Sequence, residues 1–378
     1  MKLYILLFVI LSTIISGCNG ASDTPAPNTP APITPPSYLT AEEAFTQVLQ
    51  QHDLPAISGA YIEGDQVIEQ FSLGVRKQGG SQQVSINDSW HIGSLTKSFT
   101  ATLTAILVEQ GQLSWSTSIS DVFEEGEYSA KYSNVTIEQL LSHTGGIHSE
   151  IMGVIGWDNY FTSNDPVIQQ RAQMSSDLLS MSGNGIGTFN YSNGSYVIAG
   201  HMLERIMIEQ WEQLVSEYLL LPLGIRDAKF GAPDDGFTDS QPYGHRFENN
   251  TWTPVNPSET YSDNPKAMGP AGTINMSLDS LAKYTIEHLN GRSGNSPLLS
   301  QSGYEKLHTP LPGTEYALGW FISGTNVYHM GTNTMWYAHI GMDFGAKEIA
   351  VIALTNVGGD HAIAVTDNII DVLLDRNY

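Results

Sequence analysis

Ser94-Leu95-Thr96-Lys97 sets a hydroxyl and an amine three residues apart, and residues at that spacing share one face of a helix. A serine hydroxyl is a weak nucleophile until a base takes its proton. A lysine can be that base once burial or neighbouring cations bring its pKa toward neutrality. The start of a helix adds unpaired N–H groups and the positive end of the macrodipole, both favourable to a developing oxyanion. These four residues therefore hold a nucleophile and its base. The same spacing recurs at Ser280 and Lys283, but inside a helical run from Ser277 to His288, where it reads as a solvated helix face. Ser94 instead follows Ile92-Gly93, and the small residue permits close backbone approach.

Two further clusters supply what an acyl transfer still needs. Tyr191-Ser192-Asn193 follows a glycine-rich run (SGNGIGTFN) and precedes a helix. A phenol beside an ammonium can share its proton and deliver it to a leaving group. The Asn193 amide can both donate to and accept from a substrate amide. The similar string Tyr132-Ser133-Asn134 lies just before a helix at Thr136 and reads as a turn with a capping residue. His329-Met330-Gly331 ends a strand, where the Thr332 N–H would be a second oxyanion donor beside that of Ser94. Gly331 would let that strand come close to the substrate. His-x-Gly occurs four times, at His91, His143, His329 and His339, so order and setting select His329. The candidates are thus Ser94, Lys97 and Tyr191 for catalysis, with Asn193, His329, Gly331 and Thr332 for substrate.

These residues need a scaffold. A helix is expected over Ala41 to His52, then two alternating runs, Ala56–Ile62 and Gln66–Val75, about a Gly64-Asp65 turn. Ser94 to Gln110 carries an apolar stripe of Leu95, Phe99, Leu103 and Ile106, with Gly111 at its end. Helical segments and loops dominate to about Pro265. Strand character then returns at Ala317–Ile322, Val327–Met330, Trp336–Met342 and Glu348–Thr355, and Ala362–Leu374 closes the chain as an apolar helix. The expected fold is α+β: an antiparallel sheet flanked by N- and C-terminal helices, formed by residues 38–95 and 268–378, with a mainly helical domain over 96–267 inserted.

Ser-x-x-Lys, Tyr-x-Asn and His-x-Gly in this order resemble the three motifs of serine β-lactamases and D-Ala-D-Ala peptidases, in the class C-like group with Tyr in the second motif. Leu140-Leu141-Ser142-His143-Thr144-Gly145-Gly146 is similar to another segment of that family, as are Leu221–Ile225, Pro270-Ala271-Gly272 and Leu318-Gly319-Trp320. The resemblance spans about Ala41 to Leu374. It implies a catalytic cleft between sheet and helices, an acyl-enzyme on Ser94, proton transfer by Lys97 and Tyr191, and no metal or other cofactor. No His-Glu-x-x-His helix and no Gly-x-Ser-x-Gly elbow offers a competing chemistry. His329 stands where most true β-lactamases have the lysine of Lys-Thr-Gly, so the first expectation is an amide or ester hydrolase acting on a small molecule or peptide. A β-lactamase or D-Ala-D-Ala carboxypeptidase is the alternative within the family. A non-catalytic, cell-wall-associated binding lipoprotein is the alternative from another class.

Composition narrows the partners. With 39 acidic against 16 basic residues, a net charge of −23 repels phosphate backbones, so nucleic acid is excluded as a partner. Lys2 precedes an apolar run from Leu3 to Ile15, too short to span a bilayer, which takes about 20 residues. The run ends Ile15-Ser16-Gly17-Cys18, which resembles a lipobox; residues 1–17 then read as an export signal and Cys18, the one cysteine, as the lipidation site. Residues 18–37, rich in Pro and Thr, read as a tether to the membrane. The expected location is therefore outside the cytoplasm, held by lipid on the periplasmic side of a bacterial membrane, and in enterobacteria Asn19 after the cysteine would favour the outer one.

Overall fold

The computed structural model describes residues 40–149, 151, 156–345 and 348–374; the signal, Cys18 and the tether lie outside them. Eleven strands occur among these residues: β1 (Ala56–Glu63), β2 (Gln66–Gly74), β3 (Ser89–His91), β4 (Lys229–Phe230), β5 (Gly244–Glu248), β6 (Thr251–Val255), β7 (Ile274–Ser277), β8 (Phe321–Ser323), β9 (Asn326–Thr332), β10 (Tyr337–Asp343) and β11 (Ile349–Thr355). Six form an antiparallel sheet in the order β2-β1-β11-β10-β9-β8. The chain enters this sheet at one end of the sequence and returns to it at the other, as expected.

The sheet is covered on both faces, and its sequence shows why. Along β1, Ile57 and Tyr61 belong to one core and Ala60 and Ile62 to the other. Along β11, Val351 and Ala353 alternate in the same way with Ile352 and Leu354. Successive strand residues point to opposite faces, so a strand buried on both sides reads as a continuous apolar run. Helices α1 (Ala41–Gln51) and, at the far end of the chain, Gly359–Leu374 close one face. The Thr40 side chain caps α1 by accepting from Glu43 N–H, and the Glu43 carboxylate accepts from Thr40 N–H.

The other face meets the helical region through α2 (Thr96–Glu109). Every residue of α2 from Thr96 to Leu107 is buried, so it is a central helix and not one with a single apolar stripe. Its polar side chains are hydrogen-bonded: Thr100 Oγ1 donates to Pro270 O at 2.7 Å, Ser98 Oγ to Leu95 O at 2.8 Å and Thr102 Oγ1 to Ser98 O at 2.9 Å. The helices α3 (Ile119–Val122), α4 (Ile137–Leu141), α5 (Trp157–Thr162), α6 (Val167–Ser180), α7 (Asn193–Met207) and α8 (Trp211–Val215) share one core with α2, and α7 and α8 pack directly against it.

Two local expectations change. Residues 96–267 also hold β4, in the small sheet β3-β7-β4, and the hairpin β5–β6, whose Asn249 and Asn250 turn at φ 51 and 63. Ala317–Trp320 is a turn and strand begins only at Phe321, because Gly319 (φ +81) passes so close to α2 that a Cβ there would lie 2.7 Å from Ser98 Cα. Among the described residues no helix is long and apolar enough to cross a membrane.

Candidate active site

Ser94 lies in a single 3-10 turn, Gly93–Leu95, between β3 and α2. Gly93 enters the turn at φ +51, in the left-handed region, and a Cβ there would lie 2.3 Å from Thr332 N. Facing it, a Cβ on Gly331 would meet Ile92 O at 2.1 Å and the Ser94 and Leu95 nitrogens at 2.5 Å. Two opposed glycines thus let the end of β9 run against the nucleophile turn. The Ser94 and Thr332 N–H groups sit on touching backbones, the arrangement an oxyanion pair requires.

Lys97, in the first turn of α2, is wholly buried. Its Nζ is 2.9 Å from Ser94 Oγ and 2.7 Å from Ala271 O. Burial alone pushes the amine well below its ordinary 10.5, with no carboxylate opposing the shift. A neutral amine can donate one N–H to Ala271 O and turn its lone pair to the Ser94 hydroxyl. The Nζ also lies 5.1 Å from the Tyr191 ring centre and 5.7 Å from that of Tyr196.

Tyr191 completes the trio: its ring lies beside the Lys97 amine, and the Ser94 side chain is near enough to favour its phenolate against the larger effect of burial. The ring is partly exposed, yet crowding about the hydroxyl pushes the Tyr191 pKa up, mainly through desolvation. Lys97 and Tyr191 are therefore driven apart, the amine toward its neutral base form and the phenol toward its protonated form. Divergent pKa values of this kind separate a base from a proton carrier. Asn193 opens α7, with a buried Oδ1 that has no hydrogen-bond partner among the described residues.

His329 lies on β9 with Gly331, two residues apart and hence on one face. It is buried, and both ring nitrogens are occupied: Nδ1 donates to Met330 O at 2.6 Å, which leaves Nε2 to accept from the Tyr316 hydroxyl at 3.2 Å. Burial, with Lys97 nearby, pushes its pKa down to about 3, so it is a neutral imidazole at pH 7. His329 thus lies near the site as a neutral ring with both nitrogens engaged within the protein.

Residues without a role in the sequence-level set also converge here. His143 stacks 4.2 Å from the Tyr191 ring, 4.7 Å from Tyr316 and 5.1 Å from Tyr196. Its Nδ1 accepts from the Ser192 N–H at 3.2 Å, pinning the Tyr191-Ser192-Asn193 segment. His143 itself holds φ +59, uncommon for a residue with a side chain. Its place in the Leu140–Gly146 segment and its own His-x-Gly string were the signals for it.

The duplicate motifs fall elsewhere. Lys283 pairs with Asp279 at 2.7 Å on an exposed helix face, and Ser280 Oγ bonds Asp227. Tyr132 is buried in a turn, its hydroxyl 3.3 Å from Met181 O. His339, on β10, pairs with Asp367 at 2.7 Å.

The model of the Beta-lactamase family matches residues 41–375. The chain belongs to this family. Among curated proteins it is similar to the unguisins hydrolase ungD of Aspergillus violaceofuscus (strain CBS 115571), 26% identical over 272 residues, 66% of this chain and 44% of that protein. Penicillin-binding protein 4 of Amycolatopsis lactamdurans is 24% identical over 255 residues, 66% of this chain and 63% of that protein. The chain thus spans only about half the length of such beta-lactamase-family relatives. The octameric penicillin-binding protein homologue from Pyrococcus abyssi shares the fold at TM-score 0.70 and 24% identity, covering 89% of this chain and 77% of its own. So does EstCE1, a hydrolase with promiscuous acyltransferase activity, at TM-score 0.72 and 15% identity, covering 88% and 97%.

Proposed function

We infer that this beta-lactamase-family chain is a serine hydrolase that cleaves amide or ester bonds through an acyl-enzyme on Ser94. The observation that carries it is the 2.9 Å approach of a buried, charge-starved Lys97 amine to the Ser94 hydroxyl. In the proposed cycle Ser94 Oγ attacks the substrate carbonyl carbon while its proton passes to Lys97 Nζ. The oxyanion is held by the Ser94 and Thr332 N–H groups, and Asn193 orients the substrate. Collapse breaks the bond to the leaving group, which takes a proton relayed through the Tyr191 hydroxyl. Water then repeats the attack on the acyl carbon and frees the acid. His329 and Gly331 shape the wall of the site.

Because His329 is neutral with both nitrogens engaged, that wall offers no cation to a substrate carboxylate. This favours uncharged acyl esters or amides over penicillins and peptide C-termini. Labelling with a fluorophosphonate and with a fluorescent penicillin, followed by peptide mass spectrometry, tests the assignment. An adduct on Ser94 from the fluorophosphonate alone is expected. Adducts from both would move the substrate to β-lactams or D-Ala-D-Ala peptides. No adduct from either, on folded protein, would leave a binding lipoprotein instead.

The amine also sets the pH dependence. Below its own pKa Lys97 is protonated and cannot take the Ser94 proton, so activity is lost on the acid side and gained as pH rises. Since burial lowers that pKa, kcat/KM on an uncharged ester should reach its plateau well below pH 10.5. A rate still climbing at pH 10 would assign the limb to an ordinary, solvated lysine.

We propose further that Cys18 carries lipid and anchors the domain through the Pro/Thr-rich tether, on the strength of the short apolar run ending Ile15-Ser16-Gly17-Cys18. Two or more acyl chains suffice for stable membrane attachment. Expressed from the full chain in a bacterial host, the protein should sediment with membranes and yield an acylated peptide starting at Cys18. Cys18→Ala should shift it to the soluble fraction, and a variant that stays with the membranes would reject the anchor.

A further inference from the structure

Asp263 lies in the loop before the turn Lys266–Met268 and belongs to no catalytic motif. Its side chain is 9% exposed, and its Oδ1 has two neighbours from opposite sides of the site. One is His91 Nε2 at 2.7 Å, close but off the N–H line. The other is Asn333 Nδ2, which donates to it at 3.0 Å.

Each neighbour leads to one oxyanion donor. His91 Nδ1 accepts the Gly93 N–H at 3.0 Å, so its proton sits on Nε2, the nitrogen that lies 2.7 Å from Asp263 Oδ1. Gly93 is the left-handed residue that turns the chain into Ser94. Asn333 follows Thr332, and its Oδ1 accepts from the Met335 and Trp336 N–H groups, both at 3.2 Å, fixing the β9–β10 turn. A glycine backbone has little stiffness of its own, so the aim of the Ser94 N–H depends on what grips Gly93. Oxyanion donors act only when held within about 2.7–3.1 Å of the forming oxyanion.

We propose that Asp263 is a positioning residue: by joining His91 to Asn333 it sets the spacing of the Ser94 and Thr332 N–H groups. This deepens the hydrolase assignment and rests on it. Asp263 touches no reacting atom, so its removal should weaken binding of the tetrahedral state and spare binding of the substrate.

The test compares wild type with Asp263→Ala and the isosteric Asp263→Asn, on p-nitrophenyl acetate and with phenylboronic acid, whose tetrahedral adduct on a serine mimics the intermediate. For Asp263→Ala, kcat should fall about 10–100-fold, the loss expected of a small misplacement at a reacting centre. KM should stay within about threefold, the boronate inhibition constant should rise in step with the loss of kcat/KM, and the acid limb set by Lys97 should not move. Should Asp263→Ala fail to fold, Asp263→Asn carries the test, with the same pattern at smaller size. A folded variant with wild-type kcat, or with reduced kcat but unchanged boronate affinity, overturns the positioning role. A wild-type protein that neither turns over the ester nor binds the boronate overturns the hydrolase assignment itself, and the two failures are told apart by that first measurement.

Discussion

Ser94→Ala and Lys97→Met are each expected to lower kcat by about 10⁴-fold or more, and the double variant to fall no further than the worse single one. The first removes the atom that forms the acyl bond. The second leaves the hydroxyl in place with nothing to take its proton, since the phenol of Tyr191 is itself pushed toward its protonated form. Non-additivity follows because the two side chains perform one step together. Neither change should unfold the domain. Ser94→Ala removes one hydroxyl from a half-buried residue, and Lys97→Met keeps the unbranched stem while deleting a desolvated amine. The two bonds lost with it, to Ala271 O at 2.7 Å and to Ser94 Oγ at 2.9 Å, contribute about 1 kcal/mol each. Steady-state kinetics with circular dichroism and thermal melting check both halves of the claim. A folded Lys97→Met enzyme within tenfold of wild type would remove the amine from the mechanism.

How much of this arrangement the amino acids disclose by themselves depends on how local each contact is. Ser94 and Lys97 sit three residues apart, so helical geometry alone brings them together, and the structure has them 2.9 Å apart. Of the doubly buried strands, β11 was legible as an apolar run for the same local reason, whereas β1 reads as an alternating strand although both its faces are buried. The hairpin β5–β6 was not, because strands of five residues, one holding Arg246 and Glu248 and the other Pro254, carry a weak alternating signal. Histidines mark the limit most sharply. Four of them precede x-Gly, and the string cannot rank them. In the fold, His91 holds Gly93, His143 pins the Tyr191 segment and His329 lies beside Lys97, while His339 packs against Asp367. Those roles come from sheet register and loop contacts between residues up to 172 positions apart, as with His91 and Asp263, and no spacing rule reports them. The apolar stripe drawn on α2 is buried as expected but understates the helix for a related reason: a stripe marks one covered face, and this helix is covered all round.

Gly331→Ala carries the second large effect, because one methyl group would meet three backbone atoms. Its Cβ would fall 2.1 Å from Ile92 O and 2.5 Å from the nitrogens of Ser94 and Leu95. Backbone cannot rotate out of the way as a side chain can, so β9 and the nucleophile turn must separate by about an ångström, given that carbon contacts prefer roughly 3.5–4.0 Å. That separation pulls the Thr332 N–H out of range of any oxyanion the Ser94 N–H still holds. Loss of one such donor costs about 10²–10³ in kcat. The overpacking costs about 1–3 kcal/mol of stability as well. Gly64→Ala is the matching control: φ +57 strains an alanine there too, but nothing lies within 4 Å of its Cβ and it sits in the β1–β2 turn. It should cost about 1–2 kcal/mol and leave kcat untouched. If Gly331→Ala melts lower than wild type yet turns over the ester at the wild-type rate, the close packing of β9 serves stability alone, and the second oxyanion donor must be sought elsewhere than Thr332.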